Sequence, residues 1–236
     1  MKKLLLVSAV ALTGSVMATT FESADSIGIY PVNGTSKETI VAVPFVGSSG
    51  DIQINQLVKA DGLTAGDMIY ALPTASGNSY SAWKLNNSKT AWEAITTAEV
   101  GSGVSLTAPS SENAALARGQ AFWLVRAADN PGNFTFYVMG VGPSSAAGTT
   151  AITGGKWNLV GQSSATGTKT LNDIVDAVGN KGSVRLNDGT RYTYSNSKWY
   201  SVSGNVPTEV SSSTTLPVGE GFWIVSKASG TVNVAL

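Results

Sequence analysis

Residues 183–202, "SVRLNDGTRYTYSNSKWYSV", alternate apolar and polar positions with a period of two: Val184 and Leu186, then Tyr192 and Tyr194, then Trp199. Asn187-Asp188-Gly189 and Asn196-Ser197 interrupt the alternation with turn formers, which predicts a three-strand antiparallel meander. A looser version is spelled earlier by "DMIYAL" (67–72), "YSAWKL" (80–85) and "TAWEAI" (90–95). Ahead of the tighter meander the period changes. Leu171, Ile174, Val175 and Val178 recur at helical spacing, with Thr170 and Asp173 placed as a capping box and Gly179 as the stop.

The same pattern is written twice. "LARGQAFWLVR" at 116–126 returns as "LPVGEGFWIVS" at 216–226, and "INQLVKADG" at 54–62 returns as "LNDIVDAVG" at 171–179. At that second spacing "VAVP" (41–44) lies over "NLVG" (158–161); farther on the offset shrinks, Trp92 pairing with Trp199 and "NFTFYV" (133–138) resembling the closing "GTVNVAL". Ordered matches of this kind indicate an internal duplication, with extra loop residues in the first copy around "PTASGN" and "AEVGSGVSLTAPSSEN". In "AFWLV" and "GFWIV" both strand faces are apolar, so this strand is expected at the centre of each unit, covered on both sides. Gly119 and Gly219 before it suit a turn that needs positive φ. Phe122, Trp123, Trp92, Phe222, Trp223 and Trp199 are therefore the expected core, each buried aromatic contributing roughly 1.5–3 kcal/mol.

These readings give a mainly β chain: two tandem homologous antiparallel units, sandwich or partly open barrel, each with one short helix. The expected boundaries are an N-terminal extension or strand at 19–38, repeat one at 39–140, a Gly/Ser/Thr/Ala linker at 141–155 and repeat two at 156–236. Residues 1–18 carry Lys2 and Lys3, an apolar run from Leu4 to Leu12 and a small-residue end at Ala18. That is the form of a cleaved Sec-type signal, too short to span a bilayer. The expected location is periplasmic, cell-surface or extracellular, with no membrane span after cleavage.

Composition removes several chemistries. The chain has no cysteine and no histidine, which excludes disulfides, thiolate catalysis, Ser-His-Asp triads and the usual zinc sites. Lys and Arg number 15 against 15 Asp and Glu, a balance that draws neither nucleic acid nor an anionic membrane. A glycosidase needs two carboxylates facing across a groove. Asp67, Glu93, Asp176, Asp188 and Glu220 are instead scattered among glycines and turns, where such residues form turns or solvated surface. "NDG" at 187–189 lacks calcium-loop spacing, and no glycine-rich phosphate loop is present, so neither a cofactor nor an enzymatic activity is expected.

What remains is aromatic. Of the meander residues, Tyr80, Trp83, Tyr194 and Tyr200 are the candidates for stacking on sugar rings, whereas Trp92 and Trp199 recur in both copies and are expected inside. The expected partners are the protein itself, other surface proteins or polysaccharide. "KWNLVG" at 156–161 followed by the meander and "LPVGEGFWIV" resembles a module of exported bacterial proteins that reads roughly G-W-N-L-[VI] … L-x-P-G-x-G-[YF]-W-[VI]. Lys156 stands in place of its first glycine, Pro217-Val218-Gly219 spreads its P-G pair, and the first copy has "VAVPF" where the module has W-N-L. "ESADSIGIYPV" followed by "ETIVAVPF" is similar to secreted two-copy proteins of environmental bacteria. These resemblances imply a secreted β module and supply no catalytic residue. The function expected is a non-enzymatic structural or interaction protein of the bacterial cell surface or extracellular matrix, the alternative being a carbohydrate-binding module that uses exposed meander aromatics.

Overall fold

The computed structural model describes residues 27–34, 37–45, 51–58, 61–72, 79–95, 106, 115–128, 132–141, 149–162, 168–203 and 206–236. The segment with the form of an export signal and most of the first copy's extra loop residues lie outside this set. In the first repeat the elements are β1 (Ile27–Gly34), β2 (Glu38–Ala42), β3 (Ile52–Gln53), α1 (Ile54–Leu57), β4 (Met68–Ala71), β5 (Ser81–Leu85), β6 (Trp92–Ala94), β7 (Ala115–Leu116), β8 (Ala121–Val125) and β9 (Phe134–Val141). The second has β10 (Thr149–Thr153), β11 (Trp157–Gly161), a 3₁₀ turn (Leu171–Ile174) running into α2 (Val175–Val178), β12 (Ser183–Arg185), β13 (Arg191–Ser195), β14 (Lys198–Ser203), β15 (Val206–Val210), β16 (Gly221–Val225) and β17 (Thr231–Ala235).

Each repeat is a sheet covered on one face by a short helix and a two-stranded ribbon. The sheets run β2-β8-β4-β5-β6 and β11-β16-β12-β13-β14-β15, and the ribbons are β1-β9 and β10-β17. Burial follows strand parity. Phe122 and Leu124 face inward with Ile54, Leu57 and Phe136 in the first core, as Phe222 and Ile224 do with Leu171, Ile174 and Val234 in the second. The Phe-Trp strand sits between two neighbours in both sheets, as its two-sided apolar pattern predicts. The turn chemistry also matches: Asn196 and Ser197 both have positive φ, the requirement of a two-residue hairpin. At the helix start, the Thr170 backbone N–H and hydroxyl both donate to the Asp173 carboxylate, at 2.7 and 2.8 Å.

The two repeats join in one body through a seam of reciprocal contacts. Ala42 N–H donates to the Gly219 carbonyl at 3.1 Å, and Gly161 N–H donates to the Gly119 carbonyl at 3.0 Å. Val41 bridges Glu220 while Val160 bridges Gln120. Exchanging the repeats converts each contact into the other, the arrangement of a two-fold dimer whose halves share one chain. Close approach depends on small residues. A Cβ on Gly161 would fall on Ala42, and one on Gly221 would fall on Ile40 and Ala121. Gly119 and Gly219 have the expected positive φ, +84° and +78°, and each is also overlaid by the other repeat's ribbon: Thr150 covers Gly119 and Tyr30 covers Gly219. Beyond the crossing, Ile40, Leu72, Ala121 and Leu159 form a third apolar cluster, with Trp123, Trp223 and Tyr80 partly buried against it.

Two sequence expectations change and one choice is resolved. Strand β10 lies inside the stretch assigned to a linker at 141–155 and pairs with β17. Of the extension or strand expected at 19–38, residues Ile27–Gly34 form strand β1, which pairs with β9 along its whole length. Finally, Ile40-Val41-Ala42 faces Trp123-Phe122-Ala121 in the register in which Leu159-Val160-Gly161 faces Trp223-Phe222-Gly221. Val41 thus corresponds to Val160, not to Asn158 as the ungapped comparison suggests.

Candidate functional site

Because Phe122 and Phe222 point inward, alternation turns Trp123 and Trp223 toward the opposite face of each sheet. There the two repeats present equivalent positions with different residues. In repeat one, Glu38 stands opposite Val125 and Tyr70 opposite Trp123. With Tyr80 they line an open cleft of ≈ 230 Å³ whose walls are mostly aromatic. Tyr70 and Tyr80 meet edge to face, centroids 6.3 Å apart. Burial raises both phenols above their ordinary range, with Glu38 adding to the effect at Tyr70 and the Trp123 indole hydrogen bond opposing it at Tyr80.

In repeat two the same place is a platform. Trp157 occupies the position of Glu38, opposite Val225, and Arg185 occupies that of Tyr70, opposite Trp223. Trp157 is 50% exposed and stands edge-on to Trp223, centroids 5.9 Å apart. Together the two indoles form a contiguous aromatic patch, and patches of that kind mark interaction surfaces. Arg191 lies directly opposite Arg185, and Thr193 and Tyr200 continue the same face. The row from Trp157 to Tyr200 crosses β11, β16, β12, β13 and β14, about 19 Å at the usual strand spacing.

The candidate stacking residues from sequence divide. Tyr80 lines the cleft and Tyr200 lies on the platform face. Trp83 is corrected: at 1% exposure it is inside the first core, because it shares parity with Leu85 rather than with Tyr80. Tyr194 packs partly buried against Trp199, ring centroids 5.1 Å apart, and belongs to the second core. Trp92 and Trp199 are buried as expected, whereas Trp123 and Trp223 are only partly so, since they serve the seam and the outer face.

Sequence reasoning missed Trp157, and the reason is local. In "WNLV" alternation would send Trp and Leu together and Asn outward. Asn158 is instead fully buried, its amide donating to the carbonyls of Thr153, Lys156 and Ile224 and its oxygen accepting from Thr153 N–H. A fully bonded polar core residue inverts the expected parity and turns Trp157 out. The signal in the sequence is Gly154-Gly155 just upstream, a tight turn for Asn158 to brace.

The carboxylates occupy separate places. Asp67 is buried, 2.7 Å from Arg126 Nε, and accepts from Thr64 and Ala127 N–H at 2.8 Å each. Glu93 accepts from Asn86, Asp176 sits exposed on the first turn of α2, and Asp188 accepts from Thr190 N–H in the β12–β13 turn. Glu220 is raised above its ordinary range by partial burial at the seam and then by Asp188. Among the described residues no group of three or more metal-ligating side chains comes together, and no helix is long and apolar enough to cross a membrane. A second, polar crevice beside Asn55 and Lys89 is braced from within: Asn55 accepts from Trp92 N–H, and Lys89 donates to the Leu63 carbonyl. No protein-family model, no curated protein and no solved structure matches this chain.

Proposed function

We propose that this is an exported, non-enzymatic interaction protein of the bacterial cell surface or extracellular matrix, and that the outer face of its second sheet binds polysaccharide by ring stacking. The observation that carries the reading is Trp157, half exposed and braced by Trp223 on a broad strand face with Tyr200 in the same row. Flat aromatic faces stack on the apolar sides of sugar rings, and their neighbours Thr193 and Arg191 offer polar edges to hydroxyls. A chain without cysteine or histidine, whose candidate carboxylates Asp67, Glu93, Asp176 and Asp188 stand in separate places, fits retention of a polymer better than its cleavage. The test is a pull-down on insoluble polysaccharides with release of reducing ends measured in parallel. Retention without release is expected, and Trp157→Ala should reduce retention to background; undiminished retention of that variant overturns the proposal.

A second reading, self-association, is favoured by Ile29 and Tyr137, exposed at 58% and 39% on the β1-β9 ribbon. Sedimentation at high concentration decides it: a monomer at every concentration removes this reading.

A further inference from the structure

We infer that the polymer taken by the second sheet is acidic, a chain of sugar rings bearing carboxylate or sulfate groups, and that Arg185 and Arg191 are the residues that select it. This rests on the platform proposed above as a glycan-binding face and adds the charge of its ligand. Arg185 and Arg191 are direct cross-strand partners, both exposed. Like charges placed opposite each other on one sheet face destabilise the pair. Among the described residues neither guanidinium has an ion pair: Glu209, on the same sheet, is 2.7 Å from Lys198, and Asp188 in the intervening turn accepts from Thr190 N–H. Arg185 is in turn the cross-strand neighbour of Trp223, against which Trp157 stands. Stacking surface and unpaired positive charge therefore adjoin on one face, and together they match a ligand with both ring faces and anions.

Guanidinium groups bind carboxylate and sulfate oxygens through paired, charge-assisted hydrogen bonds. Two of them side by side suit an anion on one sugar, while the indole covers the next ring. Repeat one has Tyr70 and Ala82 where repeat two has Arg185 and Arg191, and Glu38 where repeat two has Trp157, so the equivalent cleft lacks the guanidinium pair. The acidic preference is therefore a property of one repeat only.

The experiment is affinity electrophoresis of the protein in gels containing polygalacturonate, dextran sulfate or hydroxyethyl cellulose, with thermal melts confirming that each variant folds. The protein should be retarded at least about tenfold more strongly by one of the acidic polymers than by the neutral one at low salt. The acidic polymer that retards it tells carboxylate from sulfate. Arg185→Gln/Arg191→Gln should lose that preference while keeping any neutral retardation, and Trp157→Ala should lose both. If the double variant keeps its acidic preference, or the neutral polymer binds equally well, this inference fails and the stacking proposal survives. If no polymer retards the protein, both fail.

Discussion

Two tryptophans of one repeat stand in opposite surroundings, Trp199 in the core and Trp157 half in water, and they should answer truncation differently. Trp199 fills the second core at 2% exposure, so Trp199→Ala should cost about 3–5 kcal/mol by the cavity it leaves. Trp157→Ala removes a half-exposed ring and should cost no more than about 1 kcal/mol. Chemical denaturation of both variants checks the contrast; similar losses would place Trp157 in the core. Two carboxylates make a second pair. The Glu220 pKa is raised in the fold, so its ionised form is a penalty present at neutral pH and relieved as pH falls through the folded value. Glu220→Gln should therefore melt higher than the parent at neutral pH, the difference closing on acidification. Asp173 is lowered, chiefly by the Thr170 backbone N–H, so its contribution is present above the ordinary carboxylate range and lost as pH falls through the folded value. Asp173→Asn should melt lower at neutral pH, and that gap also closes in acid, from the other side.

At the level of elements, the seam depends on glycines that strand propensity alone would disfavour. Gly161→Val should destabilise by about 1–3 kcal/mol or more, since its side chain has nowhere to go but into Ala42. A melt unchanged from the parent would mean that the seam opens in solution. Much of the architecture was legible from sequence: the meander, the capping box, the central Phe-Trp strand and the duplication all follow from periodicity. Strand β10 was hidden because "TTAIT" carries one large apolar residue, Ile152, and takes its stability from pairing with β17. Strand β15 was hidden by Pro207 and by exposure along almost its whole length. Both features are tolerated because it lies at the sheet edge, where proline also discourages further pairing. The outer face was legible only in part. Tyr80 and Tyr200 follow from alternation, whereas Trp157 depends on a buried asparagine that polarity arguments place outside.

For the molecule as a whole, the reciprocal seam predicts that the halves stay together without a covalent link. A protease site introduced between residues 142 and 148, once cut, should leave two fragments that co-elute and separate only under denaturing conditions. Fragments that part in native buffer would show that the chain connection, not the seam, unites the repeats.

Order of synthesis gives the overlaid glycines a temporal meaning. Gly119 is roofed by Thr150, so the first repeat emerges and folds with that turn bare and with Ile40 and Trp123 open to water until later residues arrive. During that interval the first half shows apolar surface that the second will cover, so slow delivery of the remaining chain should raise aggregation, measured as the insoluble fraction of newly made protein.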